Sequence, residues 1–178
     1  DGRIDHLVVW APQGFAPAAR AVLESLDRLW GKGGHDLFLA LLDVGAPAEF
    51  GGLRHQAHQG LCPLAGRARI WESRTPLVLP RYPKFRRGRW IDTPKEQVMR
   101  LLTQLRLPEP LEIDAIEGTH AGTLLPWHRF RRLRLRGGGS RADGRGYGFR
   151  ITFPKPVQGP IAIGYGAHMG LGQFVAVQ

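Results

Sequence analysis

Lysine is scarce in this 178-residue chain: four Lys stand against 21 Arg. Cysteine is scarcer still. The single Cys62 excludes an internal disulfide framework and is what a protein of the reducing cytoplasm carries. No uninterrupted apolar run approaches the roughly 20 residues of a transmembrane helix, so no membrane partner is expected. No basic-then-apolar secretory leader opens the sequence. Asp1 stands where a Met is usual, as expected of a processed product or a piece of a longer polypeptide. Acidic residues are also few, 15 against 25 basic, which leaves a net charge of +10. With 43% hydrophobic and 22% charged residues, the composition is that of a globular domain able to bury a core.

The preference for Arg has a chemical meaning. A guanidinium is a planar fork that matches phosphate oxygens and stacks on bases, whereas an ammonium is a hydrated point charge. The positive charge is concentrated in two stretches. Residues 81–89 (RYPKFRRGR) carry five basic side chains and no acid, and residues 129–150 carry eight Arg and one acid, Asp143. The rest of the chain nets slightly negative. Both stretches interleave Gly and aromatics (Tyr82, Phe85, Phe130, Tyr147, Phe149), a mixture suited to phosphate contact and base stacking. Nucleic acid is therefore the expected partner, with Arg86, Arg87, Arg89, Arg129, Arg131, Arg132, Arg134 and Arg136 as candidate contacts. Arg132, Arg134 and Arg136 fall at strand spacing and should share one face.

The pattern predicts an α+β fold. His6–Ala11 (HLVVWA) reads as a buried strand. Phe15, Ala18, Ala19, Val22, Leu23, Leu26 and Leu29 recur at helical spacing, and Gly31, Gly33 and Gly34 should end that helix. Leu37–Leu42 reads as a second strand, and residues 68–79 as a third, bent at Pro76. Thr93-Pro94-Lys95-Glu96 is a capping box with Pro at the first helical position, followed by Val98, Leu101, Leu102 and Leu105. Leu111, Ile113 and Ala115 then alternate as a fourth strand. This order, β-α-β-β-α-β, is that of a ferredoxin-like unit over residues 1–118. Residues 119–178 lack helical periodicity and read as a second, abbreviated β-rich unit, with strands at 129–136, 146–153, 161–165 and 174–177. Within it RGYGFRITF (145–153) imitates an RNA-binding strand signature for five residues and then departs at Arg150; it is read as an ordinary Arg-rich strand.

The segment GPIAIGYGAHMGLGQF (159–174) sets Gly164, Gly166, Gly170 and Gly172 around His168 between two strands. Such spacing lets backbone N–H groups approach a phosphate or RNA backbone. It lacks the Gly-Lys-Ser/Thr ending of a P-loop, and no helix follows as a dinucleotide site requires. His55, His58 and Cys62 could supply three metal ligands, but no fourth stands near, so no metal and no cofactor are expected. His120 and His128 read as structural or RNA-facing. His6 opens the first strand and His35 precedes the second, at the same end of the expected unit.

The Gly-rich loop before the last strand resembles the RAMP superfamily of CRISPR-associated proteins. GRIDHLVVWAPQGF (2–15), together with residues 159–174, resembles the repeat-processing endoribonucleases within it. More narrowly, these segments resemble the endoribonuclease half of the fused backbone-subunit and endoribonuclease protein of type I-G (formerly I-U) systems. The resemblance covers nearly the whole chain. It implies metal-independent cleavage of CRISPR repeat RNA in the cytoplasm, leaving a 2′,3′-cyclic phosphate. It also implies partnership with the backbone-subunit half and other type I effector subunits. The family's catalytic His commonly lies in or just after the first helix, which points to His35, then His6, with His168 third because its loop borders the RNA. Lys32 and the 129–136 Arg cluster are candidates for steadying the phosphate charge. The alternative is a non-catalytic RNA-binding subunit that caps the repeat hairpin; a ribosomal-type RNA binder is a third reading.

Overall fold

A computed structural model describes residues 7–50, 64–121, 123–125, 127 and 145–177. The chain divides into two compact units, residues 1–46 and 47–178.

In the first unit, helix α1 spans Pro17–Glu24, with Pro at its start and an Arg20–Glu24 ion pair one turn apart at 2.7 Å. It stops well before the glycines. The Ser25 hydroxyl donates to the Val22 carbonyl and draws that oxygen away from helix continuation. Leu29 therefore belongs not to the helix but to a two-residue strand, β1 (Arg28–Leu29), paired antiparallel with β2 (Leu37–Phe38). The glycines instead build a 3-10 turn, Lys32–Gly34, between these strands. Residues 7–11 form no strand: Leu7, Val8, Val9 and Trp10 are exposed, and no described strand pairs with them. An apolar run needs a ladder partner to become a strand, and the sequence pattern does not supply one. The second expected strand is likewise cut to Leu37–Phe38.

The second unit opens with a single turn, α2 (Pro47–Phe50), and centres on one antiparallel sheet. Its axis is β10 (Gly146–Gln158). On one side lie β3 (Arg67–Ser73) and β4 (Leu77–Val78), separated by residues 74–76 at the expected Pro76 bend; on the other lies β7 (Glu112–Ile116). β12 (Gln173–Val177) pairs with β3, and β11 (Ile161–Ala162) pairs with β12. Between β4 and β7 the chain makes the hairpin β5 (Lys84–Arg86) and β6 (Arg89–Ile91), then helix α3 (Pro94–Gln104). β3 and β7 both run antiparallel to the β10 between them, so they run parallel to each other, joined through α3. A separate small hairpin, β8 (Thr119–Ala121) with β9 (Thr123–Leu125), follows β7.

The register places Ile113, Trp71 and Ile151 side by side. With Phe149, Phe153 and Phe174 they form a buried cluster that also takes in Val98 and Leu102 of α3. The capping box forms as its residues predict: Thr93 Oγ1 accepts from the Glu96 N–H, and the Glu96 carboxylate accepts from the Thr93 N–H. Since β3 and β7 precede residue 118 and β10 and β12 follow it, one sheet spans the boundary that the sequence pattern suggests. Within 145–153, Phe149 and Ile151 are buried and Arg150 turns away to pair with Glu72. The resemblance to an RNA-binding strand does not extend to exposed rings. Its glycines serve packing instead, because a Cβ on Gly148 would lie 2.2 Å from the Trp127 indole. No helix among the described residues is long and apolar enough to cross a membrane.

Candidate nucleic-acid interface

The basic stretch 81–89 is a hairpin, which its composition did not reveal. Lys84 pairs with Ile91, Phe85 with Trp90, and Arg86 with Arg89, around a two-residue turn of Arg87 and Gly88. Both turn residues have positive φ, 50° and 76°, the geometry whose twist matches paired strands. The usual signal for this turn is Asn-Gly or Asp-Gly. An Arg in the left-handed position hides it, although the Gly and the flanking alternation are legible. Arg86, Arg87 and Arg89 are all exposed. Among the described residues no carboxylate pairs with any of the three.

Helix α3 holds the base of this hairpin. Gln97 is 1% exposed and makes three hydrogen bonds there. Its Nε2 donates to the carbonyls of Arg81 and Asp92, both at 2.8 Å, and its Oε1 accepts from the Arg81 N–H at 3.0 Å. Asp92 bonds to Arg100, and that bond holds its carboxyl below the ordinary value; the charges of Arg100, Arg81 and Lys84 act the same way, while burial opposes them. The single acid at the hairpin's base is thus already engaged. Gln97→Leu should strand three backbone groups and cost about 2–3 kcal/mol, a fall in Tm of about 5–10 °C. Thermal melts check this, and amide exchange should quicken first in residues 81–92.

The Gly-rich loop is rigidly built on β4. The Tyr165 N–H donates to the Val78 carbonyl at 2.9 Å and the Gly172 N–H to the Pro76 carbonyl at 2.9 Å. Thr75 Oγ1 donates to the Gly170 carbonyl at 2.8 Å and accepts from the Gln173 N–H at 3.0 Å. Gly164, Gly166, Gly170 and Gly172 all have positive φ. Most of the loop's N–H groups, including those of Ile163, Met169, Gly170 and Leu171, donate within the protein rather than lying open. The loop's crest is a 3-10 turn, Ala167–Met169, which presents His168 and Met169 to solvent. The His168 ring has no hydrogen-bond partner among the described residues. The loop sits on the Pro76 and Val78 carbonyls, and the basic stretch begins three residues further along the chain, at Arg81.

In the first unit, His35 follows the 3-10 turn and is exposed. The next residue, Asp36, fixes the backbone there: its carboxylate accepts from Arg28 and, at 2.8 Å, from the Gly31 N–H. Both bonds hold its carboxyl below the ordinary range, Arg28 most strongly. The Arg28 guanidinium also lies 4.0 Å from the Trp30 ring centre. The His35 side chain itself is not hydrogen-bonded among the described residues. His6, His55, His58, Cys62, His128 and the Arg129, Arg131, Arg132, Arg134 and Arg136 cluster lie outside the described residues. Among the described residues no three His, Cys, Asp or Glu side chains are grouped to hold a metal. Comparison with family models, curated proteins and solved structures finds no match for the chain.

Proposed function

We propose that this chain binds RNA and cleaves CRISPR repeat RNA without a metal, as the resembling endoribonucleases do. The observation that carries the RNA-binding part is the hairpin whose Arg86, Arg87 and Arg89 are exposed and have no carboxylate partner among the described residues. Ordinary surface charge is mixed in sign; the gathering of Arg86, Arg87 and Arg89 with no carboxylate partner among the described residues favours a polyanion. On this reading a ferredoxin-like unit falls on residues 67–177 and not on 1–118 as the sequence pattern suggests, because residues 7–11 form no strand. β3, α3 and β7 make its split β-α-β half, β10 lies between the two strands, and β11 with the Gly loop replaces the second helix before β12.

The cleavage would run as follows. A base takes the proton of the 2′-OH beside the scissile phosphate, and the 2′-oxygen attacks phosphorus in line. The 5′-oxygen leaves with a proton from an acid, which yields a 2′,3′-cyclic phosphate and a 5′-OH. An imidazole titrates near neutral pH and can serve either step. His35, His6 and His168 are the candidates, and an Arg or Lys near the phosphate would steady the added charge. The backbone-subunit half and the other type I effector subunits are the proposed protein partners, in the cytoplasm.

A second reading has an observation in its favour. Neither His35 nor His168 is oriented by a hydrogen bond among the described residues, as an acid or base usually is. A non-catalytic subunit that caps the repeat hairpin would need no such orientation. Incubation of repeat RNA with the protein in EDTA separates the two. Site-specific cleavage with a 2′,3′-cyclic phosphate end is the expected result. Binding without cleavage removes the enzyme and leaves the capping subunit.

A further inference from the structure

The two faces of the 84–91 hairpin differ in chemistry. Side chains alternate along a strand, so Phe85 and Trp90, directly paired, project from one face. Lys84, Arg86 and Arg89 project from the other. Phe85 is 61% exposed and Trp90 60%, and their ring centres are 5.4 Å apart at 65°. In such an edge-to-face pair, the ring that offers its edge keeps both faces uncovered by the other. Tyr82, at the hairpin's base, is also exposed.

Three features of this hairpin work against its own stability. Arg87 occupies a left-handed conformation that favours Gly or Asn. Arg86 and Arg89 stand directly opposite each other, and like charges so placed repel. Two large aromatic rings are held in water on a two-stranded ribbon that buries neither. Where no contact among the described residues compensates a broken local rule, a partner outside the molecule is the expected compensation. The first is a backbone cost of the turn that no partner removes; a polyanion relieves the second. Only a partner with flat apolar surfaces relieves the third.

We infer that the Phe85–Trp90 face is a stacking platform for unpaired nucleotides of an RNA, whose phosphates are held by Arg86, Arg87 and Arg89 at the hairpin's edge and tip. This rests on the RNA-binding reading above and adds which part of the RNA the hairpin takes. In a duplex the base faces are covered by their neighbours, so a duplex engages the guanidiniums and leaves the rings wet. An unpaired nucleotide offers both a phosphate and an open base face. Neighbouring strands lie about 4.8 Å apart, so an Arg side chain readily reaches round a ribbon this narrow to a nucleotide stacked on its other face.

The test uses the full chain, with a labelled single-stranded oligouridine and a labelled blunt-ended RNA duplex, read by fluorescence anisotropy across a salt series. Phe85→Ala/Trp90→Ala should weaken oligouridine binding about 10- to 100-fold and leave duplex binding within a few-fold. Phe85→Leu/Trp90→Leu should behave like the alanine pair, because leucine keeps apolar area but has no ring. Arg86→Ala/Arg89→Ala should weaken both RNAs and flatten the salt dependence. Photocrosslinking of the unaltered protein to an iodouridine-substituted strand should label Phe85 or Trp90, which guards against misfolded variants. If the unaltered chain binds RNA but the aromatic variants bind oligouridine normally, or leucine restores binding, or crosslinks fall only elsewhere, the stacking platform is wrong and the RNA reading stands. If the unaltered chain binds neither RNA, both fall. Self-association lost in the aromatic variants with oligouridine binding intact would assign the rings to a second copy of the chain and overturn the inference.

Discussion

Replacing Gly172 with alanine should unfold the Gly-rich end of the sheet, while the same change at Gly170 should be mild. Both residues have positive φ, 61° and 85°, so each substitution carries the left-handed cost of about 1–2 kcal/mol. Their surroundings differ. A Cβ on Gly172 would stand 1.8 Å from the Ile163 carbonyl oxygen, which is backbone and cannot rotate away; at Gly170 the nearest atom beyond its chain neighbours is the Gln173 Nε2 at 3.9 Å. Relieving the clash at 172 means parting β11 from the loop. That breaks the bonds from the Ile163 N–H to the Gly172 carbonyl and from the Gly172 N–H to the Pro76 carbonyl. The total should exceed about 4 kcal/mol, a large share of the roughly 5–15 kcal/mol that holds a domain folded. Thermal melts should show Gly172→Ala lowered by about 10 °C or more and Gly170→Ala by about 2–8 °C. Equal melting temperatures for the two variants would mean that the loop is not clamped to Pro76 and Ile163 as described.

The other large effect concerns cleavage. His35→Ala is expected to slow single-turnover cleavage of repeat RNA by about 10²- to 10⁴-fold, the usual worth of a general acid or base, while affinity stays within a few-fold. The backbone at His35 is held by Asp36 through Arg28 and Gly31, yet the ring is exposed and has no hydrogen-bond partner among the described residues, as a group meeting a substrate needs. If His35→Ala is silent, His6→Ala is expected to show the loss. His168→Ala should lower both rate and affinity, because its exposed loop is expected to touch the RNA. Three silent substitutions would end the imidazole mechanism and leave cleavage by RNA positioning and Arg/Lys charge. A loss of affinity equal to the loss of rate at His35 would make it a binding residue only.

Some of this was legible in the residues and some was not, for physical reasons that differ by element. Helix α3 was readable from Thr93-Pro94-Lys95-Glu96 and the apolar spacing behind it, since caps and helical periodicity act between residues a few positions apart. β7 was readable from its alternation, and the break between β3 and β4 from Pro76, which lacks the N–H that a ladder needs. The positive charge of residues 81–89 was likewise a matter of composition. The hairpin that displays it was not, because Arg87 stands where its turn usually has Asn, and because the buried Gln97 that anchors its base lies beyond the stretch itself.

By itself, the sequence determined the α+β character, the local signals of α3, β7 and the Pro76 bend, and the Arg-rich surplus that points to a polyanion. The tertiary structure decided which strands meet. It took β3, β7, β10 and β12 into one sheet across residue 118, left residues 7–11 without a partner strand among the described residues, and shortened the second expected strand to Leu37–Phe38. A strand exists only when another segment supplies its hydrogen bonds, and for the main sheet that segment lies dozens of residues away. The same long-range packing assigned the glycines their separate tasks: Gly148 makes room for Trp127, Gly172 for the Ile163 carbonyl, and Gly170 only turns the chain. A glycine shows in the sequence that a side chain is absent; what occupies the space is settled by the fold.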